Sequence, residues 1–389
     1  MHMRQMFTNS ETSCFQQCQK KWYFCYHQLL RPKIRNWHLR FGSAFHAAMA
    51  VGYSIFLDKS LQALGESDYT NYIVDKARKG GQDELTGQYS DIIRKRVLDW
   101  SEEERIEKES EESRALLDSI VKLYFWVNRR DQHVWVPMLV EQPFRVPLLD
   151  ANYNETGFYH LGVFDLVVYD LEWEAIVLVE FKTTSSDTST VSRRFDFDPQ
   201  MCGYLYALKY LLGTGKLLHP ITGEKLTTSA GIGKISYNVC RKKIPSIPKM
   251  KKDGMVSVAA IDTLPSVYED ALKQQVRRGL EITTRQKVVL EGLRNRGFSS
   301  FFRRYEHYYS TGDLLTWAKE QRINCSNMAE MAENPSQAVR SPIACTMASS
   351  PRCAYRPICV DDTPEIRSAF YDASNKRHEE IDDMKGILR

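Results

Sequence analysis

The chain has 389 residues, 43% of them hydrophobic and 26% charged, the balance of a soluble globular protein of roughly two or three domains. Lys and Arg number 53 against 49 Asp and Glu, a net charge of +4, which excludes a wholesale polyanion coat of the histone kind but not a local basic groove. No run of roughly 18 uncharged apolar residues occurs, so no membrane-spanning helix is expected. The opening Met1-His2-Met3-Arg4 lacks the apolar core of a signal peptide, and the chain reads as cytoplasmic.

In chain order, Ser10 or Thr12 is the expected cap of a helix through Cys14–Phe24. A second helix is expected over Gly42–Ala50, and the pattern stays helical from about Ser67 to Asn128, with an acidic run at 102–112 that suits a solvated face. The texture changes near Val134. Apolar runs bounded by turn residues predict strands at Met138–Val146, Gly162–Tyr169 and Ala175–Phe181, with 170–174 turning between the last two. A helix over Pro199–Leu212 and a strand over Lys234–Val239 follow. Next comes a Pro-broken loop carrying Arg241, Lys242, Lys243, Lys249, Lys251 and Lys252, then helix over Ser266–Arg294. The result is an α/β chain, a sheet flanked by helices with a long helical insertion.

Two of the predicted strands bring an acid out of an apolar run: Gly162-Val163-Phe164-Asp165 and Val177-Leu178-Val179-Glu180-Phe181-Lys182. Residues i and i+2 of a strand share a face, so Glu180 and Lys182 point the same way. If the strands pair through the intervening turn, Asp165 approaches Glu180. Two neighbouring buried carboxylates are costly unless a cation neutralises them, and oxygen ligands favour Mg²⁺ or Mn²⁺. Lys182 beside such a metal can orient water or stabilise charge on a phosphate oxygen. The alternative is an edge hairpin whose Asp, Glu and Lys face solvent, against which the apolar run Ile176–Val179 argues for a central strand. Gln200 and Tyr204, four apart on a helix, share a face and can reach the same carboxylates or a phosphate. His46, in the small-residue helix, is a further candidate whose bland reading is a core or surface histidine.

Asp165, Glu180-Phe181-Lys182 and Gln200-Met201-Cys202-Gly203-Tyr204, preceded by Gly42-Ser43-Ala44-Phe45-His46, together resemble the motifs of the PD-(D/E)XK nucleases. The Gln-x-x-x-Tyr and Gly-x-x-x-His elements are those of its RecB-like branch. Phe164 stands where the literal Pro would be. The resemblance implies a restriction-endonuclease-like mixed sheet, with metal bound by His46, Asp165, Glu180 and the Phe181 carbonyl, and Lys182 as the catalytic lysine.

Nine cysteines in a chain read as intracellular suit free, metal-bound or catalytic roles rather than disulfides. Cys345, Cys353 and Cys359 lack paired Cys-x-x-Cys zinc knuckles. With one early cysteine they make up the four thiolates of a [4Fe–4S] cluster; four unrelated free thiols are the alternative. RecB-like nucleases with such clusters, among them AddB and the CRISPR-associated RecB-like exonucleases, are similar in this arrangement. By that resemblance Cys18 is the best match among Cys14, Cys18 and Cys25. Ser350 stands where the commonest family spacing has a cysteine. The cluster would staple the N-terminal segment to the C-terminal one.

The expected division is an N-terminal helical segment (1–60) with the His motif, a helical insertion (61–134), the nuclease core (135–265), a helical segment (266–340) and a cluster-binding segment with its tail (341–389). The basic 241–252 loop and Arg303-Arg304-Tyr305 with His307, Tyr308 and Tyr309 are candidate tracks for a phosphodiester backbone; a solvated loop and a packed aromatic element are the alternatives. Relatives with this layout act on DNA, often at single-stranded ends, which implies an exonuclease in recombination, repair or phage DNA processing. An endonuclease or nickase with the same site, and a nucleic-acid-binding relic, are the competing readings. The sequence holds no Gly-x-x-x-x-Gly-Lys-Ser/Thr phosphate loop. ATP is therefore not expected as a substrate, and a separate helicase or recombination protein is the expected partner.

Overall fold

The computed structural model describes residues 5–33, 37–58, 60–61, 64–95, 100–226, 231–259, 261–346, 353–379 and 381; Ser350 lies outside them. The chain opens with β1 (Met6–Thr8), α1 (Asn9–Gln17), α2 (Gln19–Trp22), a π-helical turn at Tyr23–His27 and β2 (Leu30–Pro32). The cap of α1 is Thr8, not Ser10 or Thr12. The helix starts straight off a strand, so Thr8 holds the extended cap conformation and accepts from Glu11 N at 3.2 Å. The expected continuous helix also breaks at Cys18, which is extended (φ −166°, ψ 111°) between α1 and α2.

Three long helices follow: α3 (Trp37–Ile55), α4 (Glu66–Lys95) and α5 (Trp100–Val127), then the short α6 (Asp131–Val134). The next elements are β3 (Trp135–Leu149), β4 (Glu155–Asp170), β5 (Ala175–Thr184), α7 (Pro199–Gly213) and β6 (Ile232–Arg241). The expected helix over 266–294 is two helices, α8 (Pro265–Arg277) and α9 (Thr284–Arg296). Gly279 at φ +80° turns the chain after α8, and a Thr283–Gln286 capping box starts α9. The remainder comprises β7 (Phe302–His307), α10 (Thr311–Glu333), α11 (Pro342–Thr346), α12 (Arg356–Val360), α13 (Pro364–Phe370) and β8 (Tyr371–Ala373).

Six strands form a mixed sheet around β4. One edge of β4 pairs antiparallel with β3, from Trp135↔Asp170 to Leu149↔Glu155. The other edge changes partner: β1 runs parallel to Tyr159–Leu161, and β5 runs antiparallel to Leu166–Asp170. β5 then pairs parallel with β6, and β7 closes antiparallel on β6. Ile176, Val177, Leu178 and Val179 are completely buried, and each contributes about 1.5–3 kcal/mol by leaving water. Val177, Val179 and Phe181 face the layer of α3, α4 and α5. Ile176 and Leu178 face α1, α7 and α10. This is the doubly covered central strand that its apolar run predicts.

The helical insertion is the covering layer of one sheet face. α4 crosses α3 closely because it presents glycine there: a Cβ on Gly81 would stand 2.8 Å from the Ala44 carbonyl oxygen. The two ends of the chain also meet. β2 pairs antiparallel with β8, the Tyr355 hydroxyl donates to the Leu30 carbonyl at 2.7 Å, and the buried Glu11 carboxylate pairs with Arg377 and His378. Among the described residues no helix is long and apolar enough to cross a membrane.

Candidate active site

Asp165 sits where β4 changes partner. The β4–β5 ladder ends at Leu166↔Val179, and the Asp165 side chain takes over beyond it, its Oδ2 accepting the Phe181 N–H at 2.9 Å. This bond satisfies a buried backbone donor and holds the carboxylate beside β5. Glu180 is 1% exposed. Its Oε1 lies 2.6 Å from Lys182 Nζ, the neighbour two residues along the same face.

Gln200 links the pair. Its Oε1 accepts from Lys182 Nζ at 2.9 Å and its Nε2 donates to Glu180 Oε1 at 3.2 Å. The start of α7 fixes it there, because Asp198 caps the helix by accepting from Gln200 N at 3.0 Å. One turn on, the buried Tyr204 hydroxyl interacts with the Gln200 side chain and the Val163 backbone. From the opposite helix layer α3 brings His46, with Nδ1 3.3 Å from Asp165 Oδ1.

A further carboxylate stands here that the sequence reading did not single out. Glu141 lies between Val140↔Leu166 and Gln142↔Phe164 in the β3–β4 register, opposite Asp165, and its Oε1 is 3.8 Å from His46 Nδ1. Its φ is +44°, a left-handed conformation that a side chain bearing a Cβ rarely adopts. His46, Glu141 and Asp165 each offer a ligand atom, all within 4.8 Å of one another. The polar break Glu141-Gln142 in an apolar strand was the only sequence signal for it.

The PD-(D/E)XK nuclease superfamily profile matches residues 7–360. The chain belongs to this superfamily. Membership implies a metal-dependent nuclease acting on nucleic acid. No curated protein matches the chain.

In this PD-(D/E)XK protein the donor set fits a hard divalent cation: one imidazole and carboxylates converge, and Glu180 Oε2 is buried with no hydrogen-bond partner. Burial, then the charge of Asp165, pushes the Glu180 carboxyl up to about 8. Burial also works against charge on His46, but Asp165 and Glu141 together outweigh it and raise the imidazole well above its ordinary range. Asp165 itself is held low: the charge and hydrogen bond of His46 and the Phe181 N–H overcome its desolvation. On Lys182, the nearby Glu180 and Asp198 charges overcome the burial that would neutralise it, so the ammonium is retained.

The cysteines of the PD-(D/E)XK chain divide by environment. Cys14 is buried and desolvation pushes its thiol up to about 12. Cys25 is half-buried beside Arg31, whose Nη1 lies 3.6 Å from the sulfur, and hydrogen-bonds the Tyr355 side chain. Cys18 is partly exposed at the break between α1 and α2. Cys359 lies within electrostatic range of Cys18, Cys345 and Cys353.

One candidate DNA track does not survive as an exposed surface. Arg304 is bound bidentately to Asp131 (3.0 and 2.7 Å) and donates to Asn238. Tyr305 donates to the Thr188 carbonyl, and Tyr309 packs beside Tyr237 and bonds the Phe195 carbonyl. Arg303–His307 lie in strand β7, whose side chains tie the sheet edge to its neighbours, and Tyr308 and Tyr309 follow it; of the six candidate residues only Tyr308, at 61% exposure, stands out in water. The basic loop that follows β6 does lie at the surface.

Proposed function

We propose that the chain is a Mg²⁺- or Mn²⁺-dependent deoxyribonuclease that removes nucleotides from free, single-stranded DNA ends, in recombination, repair or phage DNA processing in a cytoplasm. The observation that carries this reading is the meeting of the His46–Glu141–Asp165 donor group with the Glu180–Lys182–Gln200 triad across two adjoining strands. His46, Asp165, Glu180 and the Phe181 carbonyl are the proposed metal ligands, with Glu141 as a further one. A bound cation would supply the Lewis-acid charge that phosphodiester hydrolysis needs.

The protein's own residues supply position and protons. Lys182, kept charged by Glu180, donates toward the attacking water or a non-bridging phosphate oxygen. Gln200 fixes both Lys182 and Glu180 by binding each with one end of its amide. Tyr204 braces Gln200 from the buried side. Asp165, anchored on the Phe181 N–H, orients His46.

A [4Fe–4S] cluster on Cys18, Cys345, Cys353 and Cys359 is proposed as a staple between the two ends of the chain. Support comes from Cys359 lying within electrostatic range of the other three thiols, and from the burial of Cys14 and the engagement of Cys25 with Tyr355; among the described residues the four sulfurs are not drawn together as the His46–Glu141–Asp165 group is. A separate helicase or recombination protein is the proposed source of opened ends.

The test uses anaerobically purified protein and single-stranded DNA labelled at either end, with Mg²⁺ or Mn²⁺, beside Lys182→Ala prepared identically. Metal-dependent degradation lost in the variant is the expected result, and the label lost first gives the polarity. Opening of a single-stranded circle would make the enzyme an endonuclease. Equal activity in both proteins would overturn the active-site assignment, and inactivity of the folded wild type would leave a nucleic-acid-binding relic.

A further inference from the structure

The β6–α8 connection has a physical character that the cleavage site does not explain. Residues 242–252 read Lys-Lys-Ile-Pro-Ser-Ile-Pro-Lys-Met-Lys-Lys. Ile247 is 81% exposed and Ile244 46% exposed. An isolated exposed isoleucine is ordinary, but here two stand on one loop, each followed by a proline that restricts the backbone. Lys249, Lys251 and Lys252 are exposed around them.

This loop is held rigidly. At its root Lys242 N donates to the Thr184 carbonyl at 2.7 Å and Ser246 N to the Asp262 carbonyl at 2.7 Å, while the Asp262 carboxylate pairs with Arg241 and Lys243. At its far end Lys251–Gly254 forms a tight turn, with Gly254 N bonded to Lys251 O and Met250 bridged to Val256. Val256 is clamped through both its backbone groups: its N–H donates to Gln275 Oε1 at 2.7 Å and its carbonyl accepts from Gln286 Nε2 at 2.9 Å. Both glutamines, on α8 and α9, are essentially fully buried and bond one another. A buried amide pair of this kind commits the loop to one conformation, because breaking it would strand polar groups in an apolar core. Apolar side chains are thus fixed outward in water, the reverse of what stability alone favours.

Its position is equally specific. Thr184 is two residues beyond Lys182 on β5, about 7 Å along the strand, so the loop is rooted beside the cleavage site.

We propose that residues 244–252 form a strand-separating wedge. This rests on the nuclease reading above and specifies its substrate, a junction where a single-stranded DNA tail leaves a duplex. Ile244 and Ile247 unstack and cap the last base pair, as apolar side chains do when they enter base steps. Lys249, Lys251 and Lys252 hold the flanking phosphates, so that one strand passes Lys182 and the duplex stays outside. Lys249, Lys251 and Lys252, with no carboxylate among residues 244–252, complement the charge of DNA on the side of the loop that follows the isoleucines.

The test pairs two readouts on the full chain. In the first, a fluorescent adenine analogue occupies the terminal pair of a tailed duplex, bound by Lys182→Ala so that nothing is cleaved. Fluorescence should rise as the base unstacks, and adding Ile244→Ser with Ile247→Ser should remove most of the rise. Ile247→Leu, which keeps an apolar tip, should restore it. In the second, the ratio of cleavage on tailed duplex to cleavage on single strands should fall roughly tenfold in the double serine variant, within the cost of unstacking one base step. Single-strand cleavage by the wild type with no fluorescence rise, or with a rise and a ratio unchanged by the serines, overturns the wedge while leaving the nuclease reading intact. Failure of the wild type to cut single strands overturns the nuclease reading instead. A fluorescence rise that persists in the serine variant assigns the opening to another part of the chain and overturns the proposal.

Discussion

The left-handed backbone of Glu141 permits a test that separates ligand from scaffold. A Cβ in that region costs about 1–2 kcal/mol. Glu141→Ala keeps that strain and removes the carboxylate; Glu141→Gly removes both. The lost contact with His46 is 3.8 Å long between side chains 30% and 33% exposed, worth at most about 1 kcal/mol. Its loss is partly offset because burial, and then the charge of Asp165, already disfavour charge on Glu141. Allowing for the larger unfolded-state entropy of glycine, metal-free Glu141→Gly should exceed Glu141→Ala by about 0.5–1 kcal/mol and roughly match the wild type. At about 2.1 cal/mol/K per residue that is near 1 °C in the melting temperature of a chain this long, within reach of replicate calorimetry. Mn²⁺ at a hundredfold excess over its Kd should add about 2.7 kcal/mol, near 3 °C, to the wild type, and both variants should lose most of that shift. If Glu141→Gly melts several degrees lower without metal, or keeps the full Mn²⁺ shift, the residue is scaffold and the ligand argument fails.

Three further outcomes follow from particular contacts. Gln200→Ala, which frees both Lys182 and Glu180, should lower the cleavage rate at saturating Mn²⁺ by about 10–100-fold with little change in the far-ultraviolet circular dichroism spectrum; unaltered kinetics would dismiss the amide link. Arg304→Met leaves the buried Asp131 carboxylate without its ion pair and should cost about 3–5 kcal/mol in urea denaturation, and adding Asp131→Asn should recover a large part of that loss. For Glu11, burial pushes the carboxyl up, but the hydrogen bond of His378 and the charge of Arg377 outweigh it and hold it below its ordinary 4.5. Its stabilisation is therefore complete above that value and lost as the pH falls through the lowered one, so melting curves taken from about pH 6 to pH 3 should be flatter for Glu11→Gln than for the wild type.

Much of the scaffold was legible because its signals are local. β4 and β5 announce themselves as apolar runs broken by Asp165 and Glu180, and Pro199 after Asp198 marks the start of α7. Glu141 was not legible, since its role depends on which β4 residue it faces and on a φ of +44°, neither of which leaves a trace in composition. β1, only three residues long, is a strand because β4 offers a free edge beside Tyr159–Leu161. Arg304 shows the converse error. Arginine among aromatics reads as a backbone-binding surface, yet Asp131, distant in sequence, draws it inward. The break at Cys18 was hidden for a similar reason, because helix-compatible residues surround it on both sides.

The pairing of Glu11 with Arg377 and His378 spans almost the whole chain. During synthesis every residue of the cleavage site is made well before those partners. A chain halted after Val360 would hold His46, Asp165, Glu180 and Lys182, yet its first helix would carry a buried carboxylate with the Trp22 indole N–H as a donor but without its two cationic partners. Among the described residues, closing that loop is one of the longest-range events in the fold and among the most costly in chain entropy. The order of translation thus makes full docking of α1 wait for the segment that carries Arg377 and His378.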